Sequence, residues 1–310
     1  MHSLIVSFAI CMTLLIQAWG LRLSFSTTAI VLAVCVAMIG LPHGALDHKI
    51  GTRLLGSFSA PASYAIFFLS YLTVAAVVVA GWFLSPVLTV FGFFCLSVWH
   101  FGLEEDERKC LSWMQWLSMV ARGGMVIWIP TVFQGEAITQ LLTSILPAGD
   151  ILVAKQIVTV ITIIAPLLAI LTIFDAFTYR NETQQGWMGF PANWQHRLRL
   201  LAFAILFAAA DPLVSFGIYF CGWHSIRGLV HLREQFGFST GNLLLKLTPI
   251  SALAIGLFGV GFLFSRNSSV VTPAIIQTLF IGLSAVAIPH LLLHIVSDSI
   301  RSKQAQGAVL

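Results

Sequence analysis

The stretch Ala208-Ala209-Ala210-Asp211-Pro212-Leu213-Val214 decides how often this chain crosses a membrane. It interrupts the region between Arg197 and Gln235, which is otherwise long enough for either one span or two. Asp is a favoured helix N-cap and Pro is favoured in the first helical position. Asp211-Pro212 therefore reads as the start of a new helix, with one helix over about 195–210 and a second over about 212–235. A similar tight break falls at Ser85-Pro86.

Outward from this point the chain is a series of apolar runs. About 20 mostly apolar residues are needed to cross the hydrocarbon core as a helix. Such runs lie at 4–19, 26–42, 62–84, 86–101, 112–133, 151–177, 247–264 and 273–296. With the two helices around Asp211, the reading is an all-α, polytopic transmembrane helix bundle of about ten spans. Residues 1–310 form a single membrane domain with no soluble one. Composition agrees, because only 9% of the residues are charged and 58% are hydrophobic. Soluble domains carry about 25% charged residues. The net charge of +4 is too small to suggest a nucleic-acid partner. No basic segment precedes the run at 4–19, which argues against a cleaved signal peptide. Cys11, Cys35, Cys95, Cys110 and Cys221 form no C-x-x-C pair and read as small buried apolar residues.

Charge sets the orientation. Ten spans place eleven of the sixteen Lys and Arg residues on the side of the N-terminus and three on the other, with Arg122 and Arg227 inside spans. Nine spans would give eight against six. The positive-inside rule then predicts a multi-pass protein of the cell's inner membrane with both termini cytoplasmic.

The histidines give the same count. His43 ends the second span, His100 ends the fourth, His224 lies midway along the eighth, and His290 lies late in the tenth. With ten spans these helices all run toward the cytoplasm, so the four imidazoles can meet at one depth. Ionisable groups within spans are costly and mark functional sites by default. A neutral imidazole is the cheapest of them to bury and a common nitrogen ligand for iron, copper and zinc. Against this stands the bland reading, that a lone His in a span ties helices together by hydrogen bonds. Four such runs on four helices favour one shared site.

Neighbouring residues extend the set. Asp47 is four residues past His43 and is placed to orient that imidazole as an outer carboxylate. His294 is four residues past His290, so both face one way, as a ligand or a partner of one. His231 is seven past His224, about 10 Å along a helix, too far to share an ion with it. Trp99 and Trp223, each directly before a His, read as interface aromatics or as walls of an apolar pocket, and Arg227 as a supporting group. His2 and His196 read as ordinary surface residues, and the run Glu104 to Glu107 as a mostly solvated helix end. No phosphate loop, nucleophile elbow or zinc-protease motif occurs.

These runs resemble the Brp/Blh family of membrane-bound β-carotene 15,15′-dioxygenases. The resemblance rests on Pro42-His43-Gly44-Ala45 with Asp47, Trp99-His100-Phe101, Trp223-His224-Ser225 with Arg227, and Pro289-His290. It implies iron, Fe(2+), held by His43, His100, His224 and His290, with a lipid-soluble carotenoid and O2 as reactants and membrane lipid as surroundings. It implies cleavage of the central double bond, β-carotene to two retinal. One position departs: the family's third run carries a second His four residues after the first, where this chain has Gly228. Two other classes stay open, a membrane iron oxygenase with two metals and a non-catalytic haem- or carotenoid-binding protein.

Overall fold

The computed structural model describes residues 6, 9–13, 15, 20, 23–104, 112–147, 150–178, 192–266 and 271–307. Among them there is no strand. The expected first span, 4–19, lies largely outside these residues, as do Cys110 and the acidic residues 105–107.

The helices are α1 (Phe25–Cys35), α2 (Asp47–Leu54), α3 (Ala60–Leu84), α4 (Pro86–Glu104), α5 (Trp113–Gly123), α6 (Met125–Phe133) and α7 (Gly135–Ile145), followed by α8 (Ile151–Thr178), α9 (Ala192–Ala209), α10 (Pro212–Gly217), α11 (Ile226–Phe236), α12 (Thr240–Arg266) and α13 (Val271–Gly307). A π-turn, Val36–Gly40, and a 3-10 turn, Leu41–Gly44, continue α1 toward α2. A second π-segment, Ile218–Ser225, joins α10 to α11.

Asp211 caps α10 as its sequence predicts, accepting hydrogen bonds from the amides of Leu213 (2.9 Å) and Val214 (3.3 Å) with Pro212 in the first turn. The span count of about ten is not reproduced. Among the described residues six helical stretches are long and apolar enough to cross a membrane, or seven if α5 and α6, bent by 60° at Gly124, form one broken span. The expected span 4–19 lies largely outside the described residues, and the rest of the difference lies on either side of Asp211. α9 opens with Gln195, His196, Arg197 and Arg199 and is too polar to qualify, while α11 is only 11 residues long and carries Arg227, His231, Arg233 and Glu234.

Contacts divide the chain into two compact units. The first comprises Met1–Leu32 with Phe94–Trp223, the second Ala33–Phe93 with His224–Leu310. In the first, α5 packs on α8, and α6 on α8 and α9. α4 and α5 approach so closely that a Cβ on Gly123 would overlap the backbone of Val98 and Gly102. Small residues permit such contacts between membrane helices. Gln134 donates to the carbonyls of Phe207 (3.2 Å) and Ala210 (2.6 Å), meeting groups that the end of α9 leaves open. Phe203, Phe207, Tyr219 and Trp223 form an aromatic core around them.

In the second unit α13 lies against α3, α12 and α2, and the 3-10 turn touches α11 and α12. Trp82 donates to Ser284 Oγ at 2.7 Å, tying α3 to α13. A side chain on Gly51 would meet the Phe67 ring, and one on Gly282 the Phe258 ring, so α2–α3 and α12–α13 are in direct contact. Ala45, Leu46, Ile50, Leu232, Leu243 and Leu247 form the apolar floor beneath the 3-10 turn.

The cysteine reading holds only in part. Cys221 is buried, but Cys11 and Cys95 are exposed on apolar helices, and none of the four described cysteines forms a disulfide. Apolar sequence predicts the absence of water, which lipid satisfies as well as a protein core does.

Candidate metal centre

Three of the four predicted imidazoles meet within the second unit. The His43 ring lies 5.0 Å from His224 and 5.1 Å from His290, centroid to centroid, in edge-on geometry. His294 follows His290 by one turn, with ring centroids 4.5 Å apart. His224 and His290 are buried, and His43 and His294 are half-buried.

Each of the three arises at a departure from regular α-helix. His43 sits in the 3-10 turn after the π-turn, His224 in the second π-segment, and His290 directly after Pro289 inside α13. Pro289 has no amide proton, which deletes the bond to the carbonyl four residues earlier. Such irregular turns re-aim side chains and recur at functional sites.

The hydrogen bonds fix the tautomers of two rings. His43 Nδ1 contacts the Gly40 carbonyl, which only accepts, so Nδ1 carries the proton and Nε2 the lone pair. His290 Nδ1 lies 3.0 and 2.8 Å from the two carboxylate oxygens of Asp47, with the same consequence. Asp47 is buried and also accepts from the Tyr71 hydroxyl at 3.2 Å, a group 3.1 Å from the Val286 carbonyl as well. A carboxylate behind an imidazole is the usual way a metal-binding ring is oriented and made more basic. Asp47, His290 and His294 bring donor atoms within 4.8 Å of one another. Since Asp47 shares the Nδ1 proton of His290, we treat it as the orienting group and the imidazoles as ligand candidates.

This corrects the expected role of Asp47. It orients His290, on a helix more than 200 residues away, and His43 is oriented by a backbone carbonyl instead. Four-residue spacing aligns side chains only in a continuous α-helix, and between 43 and 47 the chain passes from 3-10 turn to tight turn to the first residue of α2. Gly44 packs beneath the pair, where a Cβ would lie 3.7 Å from both Asp47 Oδ2 and His290 Nδ1.

Within the first unit His100 is half-buried near the end of α4, Trp99 beside it is exposed and edge-on to Trp116, and Trp223 on the second π-segment is buried beneath Arg199. Arg227 is half-buried on α11 and His231 is exposed. His48 bonds the Ala45 carbonyl at 3.1 Å and stacks on Phe68.

His196 is not a surface residue. It is 2% exposed, and its Nε2 donates to Asp175, itself fully buried, at 3.2 Å. Arg122 bonds the same Asp175 oxygen at 2.5 Å and donates to the Gly102 carbonyl at 2.8 Å, while Arg199 reaches His196 Nδ1 at 3.3 Å. Reading His196 as surface followed from the polar start of α9, and this charge cluster draws that end inward. Tyr71 was also not foreseen. Its signal in the sequence is a phenol in mid-span, whose hydroxyl usually finds a partner when buried.

A family model described as β-carotene 15,15′-dioxygenase matches residues 34–297. The chain belongs to that family. A β-carotene 15,15′-dioxygenase from an uncultured marine bacterium is 30% identical over 261 residues, covering 83% of this chain and 90% of the relative. A probable β-carotene 15,15′-dioxygenase, Blh, from Halobacterium salinarum is 24% identical over 268 residues, covering 78% and 76%. No solved structure matches. The family match spans all the histidine runs quoted above, and both units contribute to it.

Proposed function

We propose that this protein splits the central double bond of a carotenoid with dioxygen, turning β-carotene into two molecules of retinal. One C=C bond breaks, and each of its carbons gains one oxygen of O2 as an aldehyde. The family membership and the names of the two relatives support the reaction class. The observation that carries the site is the convergence of His43, His224 and His290 from three irregular turns, with Asp47 behind His290.

Such a donor set suits a divalent first-row metal, and oxygen chemistry selects iron(II). We infer that His43, His224 and His290 hold it as neutral imidazoles, and the sequence reading adds His100 to the set. Iron, when bound, supplies the activation of oxygen. The chain supplies position. Asp47 and the Gly40 carbonyl hold protons on the two Nδ1 atoms, so that each Nε2 offers its lone pair. The apolar cluster of Ala45, Leu46, Ile50, Leu232, Leu243 and Leu247 beside the 3-10 turn helps to exclude water, and a carotenoid would arrive through lipid. On the ten-span reading of the sequence, the positive-inside rule supports an inner-membrane location with both termini cytoplasmic.

Expression in a β-carotene-producing bacterium tests the reading. Loss of orange colour with appearance of retinal is expected. Unchanged carotene beside well-expressed protein would overturn it.

A further inference from the structure

His294, whose sequence position leaves it open as a ligand or a partner of one, has a definite place in the same centre. It stands on α13 one turn past His290, on the same face, with a ring nitrogen within 4.8 Å of donor atoms of both His290 and Asp47. Two imidazoles four residues apart on one helix form a natural pair of ligands to a single ion. The second helix of the centre offers no such pair. One turn past His224 comes Gly228, whose added Cβ would lie 3.6 Å from His43 Cδ2 and 3.9 Å from His43 Cβ. Cδ2 adjoins Nε2, so a side chain at 228 would enter beside the lone pair of His43. A Cβ fits there in ordinary van der Waals contact.

We propose that His294 is a metal ligand, and that α13 is the helix that supplies two imidazoles while the π-segment supplies His224 alone. The assignment rests on the iron reading above. It makes the positions 228 and 294 interchangeable in kind: an imidazole placed at 228 can compensate for one lost at 294.

Full-length protein, purified in detergent and stripped of metal, would be titrated with Fe2+ and separately with Co2+, whose visible bands report its ligands. His294→Ala and His294→Gln are both made, so that loss through misfolding is recognised by helical content. Both variants are expected to stay helical, to weaken Co2+ binding by at least the ~100-fold that loss of an outer partner can cause, and to alter the visible bands. Gly228→His added to His294→Ala is expected to recover about tenfold or more of that loss. Folded His294 variants that bind both metals like the wild type, with unchanged bands, would overturn the assignment and leave the iron reading standing. Failure of Gly228→His to recover binding in the His294→Ala background would overturn the equivalence of the two positions. Wild-type protein that binds neither metal would overturn the iron reading itself.

Discussion

In the first unit Asp175 sits between Arg122 and His196, and in the second His43 sits between His224 and His290. Both clusters are buried polar groups in an apolar protein, and the first is as dry as the second. Their compositions differ. Around Asp175 a carboxylate meets cations, and Arg199, His196, Asp175, Arg122 and the Gly102 carbonyl form one chain of donors and acceptors. Opposite charges close on themselves, and such a cluster holds α4, α5, α8 and α9 together. Around His43 like groups meet, with one carboxylate behind them. Neutral imidazoles aimed at one another form a site that suits a cation, which is why burial alone does not separate a structural cluster from a functional one.

The comparison can be broken by substitutions that treat the two clusters alike. The largest effect is expected from His224→Ala, which should abolish retinal formation in carotene-producing cells and lower bound iron, with protein level retained. If the variant still makes retinal at the wild-type rate, the second cluster is not the site. Asp175→Ala should act through stability instead. Removing one partner of a buried ion pair costs about 3–5 kcal/mol, read as a lower melting temperature in detergent, and Arg122→Met in the same chain should recover part of it. Surviving folded Asp175→Ala protein should keep its activity per molecule. A loss of activity without a loss of stability would give the first cluster a role in the chemistry.

Two smaller effects sharpen the contrast within the second unit. Asp47→Asn keeps the shape but removes the charge behind His290, and should lower metal affinity by roughly 10–100-fold, the usual range for such partners. Fe2+ titration measures it. Tyr71→Phe removes one hydroxyl from Asp47 and the Val286 carbonyl, a hydrogen bond worth about 1 kcal/mol. Metal affinity should fall about fivefold, because that is what about 1 kcal/mol amounts to. If Tyr71→Phe weakens binding as much as Asp47→Asn, the hydroxyl acts on the metal directly and not through the carboxylate.

The helical fold and most of the apolar helices were readable from the chain itself, as was the break at Asp211-Pro212. The span count was not, since α9 is too polar and α11 too short to be an apolar span, and 4–19 lies largely outside the described residues. Of the site, the approach of His43, His224 and His290 agrees with the expected meeting, but the ten-span count from which it was argued is not reproduced. Asp47 was picked out, but for the wrong imidazole. His196 was assigned to the surface, and Tyr71 was overlooked.

The sequence by itself determined that this is a helical membrane chain with histidines at turns and ends of apolar runs, because hydropathy, capping and proline breaks are local properties of neighbouring residues. Only the tertiary structure decided which group orients which ring. The bond from His290 to Asp47 joins residues 243 positions apart, and the π- and 3-10 turns around His43 and His224 remove the regular spacing on which a sequence rule depends. A hydrogen bond forms or fails over a few tenths of an ångström, a margin that residue spacing along the chain does not resolve.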